Sequence, residues 1–226
     1  MSSPTPSKPR RRGRPPTNTP GVPGDARVHL LDTAIQLFAT QGISATPLSQ
    51  IARKAEVTPA LLHYYFGSKE KLVESLVEER LLPLTLQLGQ SLNSSGAQNL
   101  RETLQTLVGS LMDLLAANPW FPQLWLREVL QEGGQLRDYL IGRLAPVLAH
   151  KVRDLVAAAQ ARGEINPELE PRLFMVTLIG LSVFPFAAQP VWRSIFPAED
   201  ITAEVMKRHV LSLLLHGLAP PSTPSG

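Results

Sequence analysis

Cysteine is absent from the 226 residues. That excludes a disulfide scaffold, a thiol nucleophile and any cysteine-ligated zinc or iron–sulfur centre. No apolar run is long enough for a bilayer. The longest, Leu173 to Ala188, has 16 residues, whereas a span needs about 20. It also holds Thr177, Ser182 and Pro185, and it reads as a helix buried on most faces, in the core or in a subunit interface. There is no internal repeat, no Ser-His-Asp order, no phosphate loop and no dinucleotide fingerprint. His209 and His216 can share a face of the last helix, but zinc needs three or four convergent ligands. The expectation is therefore no catalytic residue, no metal, no cofactor and no enzyme activity. No apolar stretch follows the first positive charges, so the amino terminus does not read as a signal peptide. The expected location is the bacterial cytoplasm, at the nucleoid when DNA is bound, with no membrane partner.

What is present is an ordinary globular mix, 43% hydrophobic and 18% charged, with charge placed unevenly. Lys8, Arg10, Arg11, Arg12 and Arg14 precede the first acidic residue, Asp25. The remaining chain carries 17 basic and 19 acidic residues. The pI of about 9.4 is thus made largely by a short tail. Residues 1–23 are Pro, Ser, Thr, Gly and Arg with almost nothing to bury, and read as a disordered basic arm. Residues 219–226 read as a similar disordered tail.

Everything between has helical period. Leu31, Ala34, Ile35 and Phe38 repeat at i, i+3, i+4, i+7, as do Leu48, Ile51, Ala52 and Ala55. The fold class is all-α. A first helix is expected over 26–41, stopped by Gly42. Thr46-Pro47 opens a second and Thr58-Pro59 a short third over 58–65, each Thr as cap and each Pro at the first helical position. Only Glu56-Val57 separate the second helix from the next cap, so the two must cross steeply, as in a helix-turn-helix. Leu61, Leu62 and Phe66 face inward, leaving Thr58, Ala60, His63 and Tyr64 on the other side. The free N–H groups of such a helix favour phosphate, and hydroxyl and imidazole groups can bond phosphates or base edges. Ser68 caps a fourth helix whose first turn carries Lys69 and Lys71. Longer helices are expected near 68–93, 97–117, 120–132, 135–162, 168–188 and 198–216, with Pro83 and Pro146 kinking or dividing two of them.

The run Leu30-Leu31-Asp32-Thr33-Ala34-Ile35-Gln36-Leu37-Phe38-Ala39, then Gly42, then Thr46-Pro47-Leu48-Ser49-Gln50-Ile51-Ala52, then Ala60-Leu61-Leu62-His63-Tyr64-Tyr65-Phe66-Gly67-Ser68-Lys69-Glu70-Lys71-Leu72 resembles the amino-terminal domain of tetracycline-repressor (TetR/AcrR) family regulators. The resemblance implies a three-helix helix-turn-helix DNA-binding domain at 24–84 and a larger helical ligand-binding and dimerisation domain at 85–218. It implies a sequence-specific transcriptional regulator, a ligand-responsive repressor that binds a palindromic operator as a homodimer. Its partners are then double-stranded DNA, a second copy of itself and a small-molecule effector. By matching positions, DNA contacts fall on Thr46, Pro47, Thr58, Pro59, Ala60, His63, Tyr64 and Lys69. The dimer comes from the last two long helices, 168–188 and 198–216, and helix four is the expected lever between domains.

Two departures stand out. Glu56 occupies a turn position where the family commonly has Gly, and a left-handed backbone there costs a non-Gly residue roughly 1 kcal/mol. His63 stands where a phosphate-binding Tyr is common. In the arm, Arg10-Arg11-Arg12-Gly13-Arg14-Pro15-Pro16 has two readings: Arg12 and Arg14 in an A·T minor groove, or a basic arm gathering phosphates. The C-terminal aromatics also have two: Trp120, Trp125, Phe174 and Phe184 as lining of an apolar effector pocket, or as plain core and interface. Arg127, Glu128 and Arg143 are candidate polar anchors.

Overall fold

The computed structural model describes residues 23–94, 100–196 and 199–219. Arg12, Arg14, most of the expected arm and most of the carboxyl-terminal tail lie outside these residues. So does the side chain of Arg143. Twelve α-helices follow in chain order among the described residues: α1 (Pro23–Gln41), α2 (Leu48–Lys54), α3 (Pro59–Phe66), α4 (Lys69–Leu76), α5 (Leu82–Ser94), α6 (Leu100–Ala117), α7 (Phe121–Trp125), α8 (Arg137–Tyr139), α9 (Ala145–Ala161), α10 (Pro171–Ala187), α11 (Gln189–Ile195) and α12 (Ala203–Gly217). Three π-helical turns, Val77–Leu81, Leu126–Leu130 and Leu140–Leu144, run on directly from α4, α7 and α8.

Pro83 and Pro146, expected to kink or divide their helices, each lie just after one of these turns. Leu82 N–H reaches back five residues to the Val77 carbonyl, just ahead of Pro83. Pro83 has no N–H to give the Glu79 carbonyl. That oxygen instead accepts from Arg80 Nη1 at 3.2 Å. Ahead of Pro146, Ala145 N–H likewise reaches the Leu140 carbonyl. One extra residue in the turn absorbs the missing donor, so both helices continue.

Thr46 corrects an expectation. It does not cap α2, whose cap position is Pro47 with no side-chain bond. Its hydroxyl donates instead to the Gly42 carbonyl at 2.7 Å, closing the end of α1. Thr58 and Ser68 cap as expected, accepting from Leu61 N–H and Lys71 N–H. The α2 end is a Schellman motif: Val57 N–H bonds the Ala52 carbonyl and Glu56 N–H the Arg53 carbonyl. Glu56 sits at its left-handed position with φ 56°.

Two hydrophobic cores organise the helices. The first joins Leu30, Leu31, Ile35 and Phe38 of α1 to Ile51, Leu62, Phe66, Leu72 and Leu76. It also takes in Leu124, Val129, Leu136 and Leu140, so the amino-terminal helices close only over a segment far along the chain. The second core gathers α5, α6, α9, α10 and α12 around Leu104, Leu107, Met112, Val156, Leu178 and Val210. Phe121 and Trp125 pack against both, their rings stacked 6.0 Å apart. Salt bridges tie α1 to the π-helical turn after α4: Arg27 to Glu79 and Asp32 to Arg80.

The apolar helix α10 starts at Pro171 and bends by 63° into α11, a helix the sequence pattern did not separate. It buries Phe174, Met175, Leu178 and Val183 but exposes Leu173, Val176 and Phe184. No single helix among the described residues is long and apolar enough to cross a membrane.

Candidate nucleic-acid interface and effector cavity

Helix α3 presents the recognition surface because its apolar residues lie on one stripe. Leu62 and Phe66 are buried in the first core. Pro59, Ala60, His63 and Tyr64 are exposed, Tyr64 at 81%. Arg27 lies over the Phe66 ring, 5.0 Å from its centroid, and holds the inner face from the α1 side. Pro59 has no N–H and the Leu61 N–H is bonded to Thr58, so the Ala60 N–H is the group at the start of α3 that faces an incoming phosphate. His63 Nδ1 lies 2.7 Å from the Gly67 carbonyl. A carbonyl only accepts, so Nδ1 carries the proton and Nε2 is the nitrogen left for DNA. Gly67, at φ 71°, makes the sharp exit that places Ser68 as cap of α4. The Ser68 hydroxyl, followed by the Glu70 backbone N–H, holds the Glu70 carboxyl below its ordinary range.

Lys69 Nζ donates to the Ser44 carbonyl at 3.1 Å. An ammonium has three donors, so two remain for phosphate. Arg53 and Lys54 close α2 and are exposed. Among the DNA contacts expected from the sequence, Pro47, Thr58, Pro59, Ala60, His63 and Tyr64 are exposed and Lys69 is half-buried. Thr46 is different: it is fully buried, and its hydroxyl is turned inward.

A cavity of about 110 Å³, partly open to solvent, lies between the two cores. Its walls include Leu88, Leu107, Trp125, Leu140, Leu148 and Met175, and among the described residues Thr85 is its one hydroxyl-bearing side chain. Of the four aromatics proposed from sequence, Trp125 lines it. Trp120 packs on the first core and Phe174 is buried in the second. Phe184 is 61% exposed on the outer face of α10. The aliphatic lining was not legible in the sequence, because Leu at helical spacing marks any core wall.

Sequence reasoning named Glu128 as a candidate polar anchor but missed its partners, and with them how the reading domain is attached. Glu128 is buried, and its Oε1 accepts from Ile43 N–H at 2.7 Å. Its Oε2 accepts from Gln135 N–H at 3.1 Å. Gln135 Nε2 donates to Ser44 Oγ at 3.0 Å. The one sequence signal was an acid set between apolar residues, Leu126-Arg127-Glu128-Val129-Leu130.

Comparison with known proteins agrees with this architecture. The HTH-type transcriptional repressor KstR2 of Rhodococcus jostii (strain RHA1) is 24% identical over 210 residues, covering 92% of this chain and 98% of the relative. The HTH-type transcriptional regulator BetI of Rhizobium meliloti (strain 1021) is 46% identical over 55 residues, 24% of this chain and 27% of its own. Among solved structures, the ketosteroid transcriptional regulator KstR2 of Mycobacterium tuberculosis superposes with a TM-score of 0.71 at 22% identity. That match covers 85% of this chain and 94% of the other. FadR from Bacillus subtilis in complex with stearoyl-CoA superposes at 0.63 with 20% identity, over 84% and 98%. Residues 30–76 match the family described as "Bacterial regulatory proteins, tetR family". Residues 101–215 match "Tetracyclin repressor-like, C-terminal domain". By these two matches, which span both halves of the fold, the chain belongs to the TetR family of bacterial transcriptional regulators.

Proposed function

We propose that the chain acts as a homodimeric repressor whose α3 helices enter successive major grooves of a palindromic operator, and which an apolar effector releases. The observation that carries this reading is the exposed set Pro59, Ala60, His63 and Tyr64 above buried Leu62 and Phe66. Thr58 and Lys69 flank it and hold the adjoining phosphates, and Pro47 sets the approach of α2. Thr46 supports the turn rather than touching DNA. Arg12 and Arg14 of the arm add affinity from the minor groove or the phosphates. Half-sites one helical turn apart, about 34–36 Å, follow from two such helices on one DNA face. The reading domain comprises residues 24–84 and the effector and dimer domain 85–218.

The cavity supports an effector whose buried part is uncharged hydrocarbon, because a charge placed among these side chains is left without a partner. Relatives named for a ketosteroid and bound to stearoyl-CoA are consistent with that class. The exposed apolar residues Leu173, Val176 and Phe184 of α10 support pairing with a second copy.

Selection of duplexes from a random-sequence library by the full chain tests the reading. The expected product is one inverted repeat, released when stearoyl-CoA or a 3-ketosteroid is added as effector probe. Enrichment of A·T-rich DNA without a repeat, the behaviour of an architectural protein coating DNA through its arm, would overturn it.

A further inference from the structure

We propose that Glu128 is a positioning residue for DNA recognition, the point at which the effector domain sets the orientation of the reading head; this rests on the repressor reading above. A buried carboxylate is tolerated only where its lone pairs are taken. Here each oxygen is taken by a different part of the fold. Oε1 holds the Ile43 N–H of the loop that links α1 to α2. Oε2 holds the Gln135 N–H, at the start of the stretch that carries Leu136 and Leu140.

The loop is fixed from other sides as well. Gly42 has φ 89°, and a Cβ there meets Arg127 Cδ and Glu128 Oε1 at 3.2 Å. The Ser44 hydroxyl is bonded by Gln135 and its carbonyl by Lys69. Lys69 and α2 both belong to the DNA-facing surface, so a shift at Glu128 is passed to both edges of α3.

The other end of this connection is the cavity. Trp125 stands three residues before Glu128, one turn away on the same helical segment, and Leu140 follows Gln135 through α8. Both line the cavity, and both pack on the first core. An occupant that displaces Trp125 or Leu140 therefore pulls on the two ends of the Glu128 bridge. An apolar contact tolerates sliding, whereas a two-oxygen bridge to two backbone N–H groups fixes one register.

The experiment uses the full chain and the repeat selected by the wild type. Dissociation constants are measured for that repeat and for a scrambled duplex, beside amide hydrogen exchange at Ile43. E128A, at a temperature where circular dichroism shows it folded, should lose at least tenfold in affinity for the repeat and little for the scrambled duplex. E128Q keeps the volume and one acceptor oxygen and should fall between. Gln135→Ala removes an exposed bond only and should cost about threefold. Ile43 exchange should rise in all three. A149L, which fills the cavity, should alter repeat affinity in the wild type and by a smaller factor in E128Q. Faster Ile43 exchange with repeat affinity unchanged would leave Glu128 as mere structural support and overturn the proposal. Should E128A not fold, unchanged repeat affinity in both E128Q and Q135A overturns it equally. Failure of the wild type to select any repeat would count against the repressor reading instead.

Discussion

The Arg27 guanidinium grips the Glu79 carboxylate with both Nη atoms, tying α1 to the π-helical turn that follows α4. The bonds from Arg27 hold the Glu79 carboxyl below its ordinary range. A depressed carboxyl stabilises the fold above the unfolded-state value, near 4.3, and that stabilisation is lost as pH falls through the folded value. Both side chains are about a third exposed, so Glu79→Gln should cost only about 0.5–1 kcal/mol at pH 7. It should cost nothing well below pH 4. Arg27→Ala also removes the contact over Phe66 and should cost about 1–2 kcal/mol. Denaturant midpoints at the two pH values check both; an equal deficit of the Glu79 variant at low pH contradicts the sign.

Glu56 holds a left-handed backbone inside a Schellman turn. Substituting glycine removes the Cβ clash, and Glu56→Gly should stabilise the chain by about 1 kcal/mol. It also removes a carboxylate near the DNA face, so operator affinity should rise. Thermal and chemical unfolding read the first effect and a titration with duplex the second.

Tyr64 is exposed and His63 caps α3 through the Gly67 carbonyl. Tyr64→Ala should lower operator affinity tenfold or more while changing stability by less than about 0.5 kcal/mol. His63→Ala should lose affinity as well as about 0.5 kcal/mol, because Gly67 loses a donor. A Tyr64 variant with wild-type affinity would move the recognition surface elsewhere.

The arm holds five positive charges, Lys8, Arg10, Arg11, Arg12 and Arg14. Each neutralised phosphate adds about 0.9 to the log–log salt slope on duplex DNA. Deleting residues 1–16 should flatten the salt dependence of binding by up to roughly 4–5 units per chain. Sequence preference should change less than affinity does.

Val176 and Phe184 are 65% and 61% exposed on one helix. Val176→Asp or Phe184→Asp should convert a dimer into a chain of 24.7 kDa with its helical content kept. Sedimentation equilibrium distinguishes the two masses, and an unaltered dimer would place the interface off α10.

Most helix positions were legible because each depends on its own few residues. Thr58 and Ser68 as caps and Gly42 as a stop follow from local backbone chemistry, whereas the left-handed turn at Glu56 was flagged by the family resemblance. Thr46 was misread because its hydroxyl had two acceptable local partners, and packing against the end of α1 decided for the Gly42 carbonyl. At Pro83 and Pro146 a π-helical turn takes up the missing donor and the helix runs on, so the expected division is absent.

The sequence by itself determined the all-α class, the helix-turn-helix and its outward face, and a basic arm set apart from a slightly acidic body. These rest on period, capping and local charge, all of which act over a few residues. The tertiary structure alone decided that residues 121–140 complete the core of the reading domain. It also decided that the cavity is lined mainly by aliphatic side chains around Trp125, and that Glu128 grips Ile43 across 85 positions. Such contacts leave no periodic trace, because the partners meet only when two cores close on one shared segment.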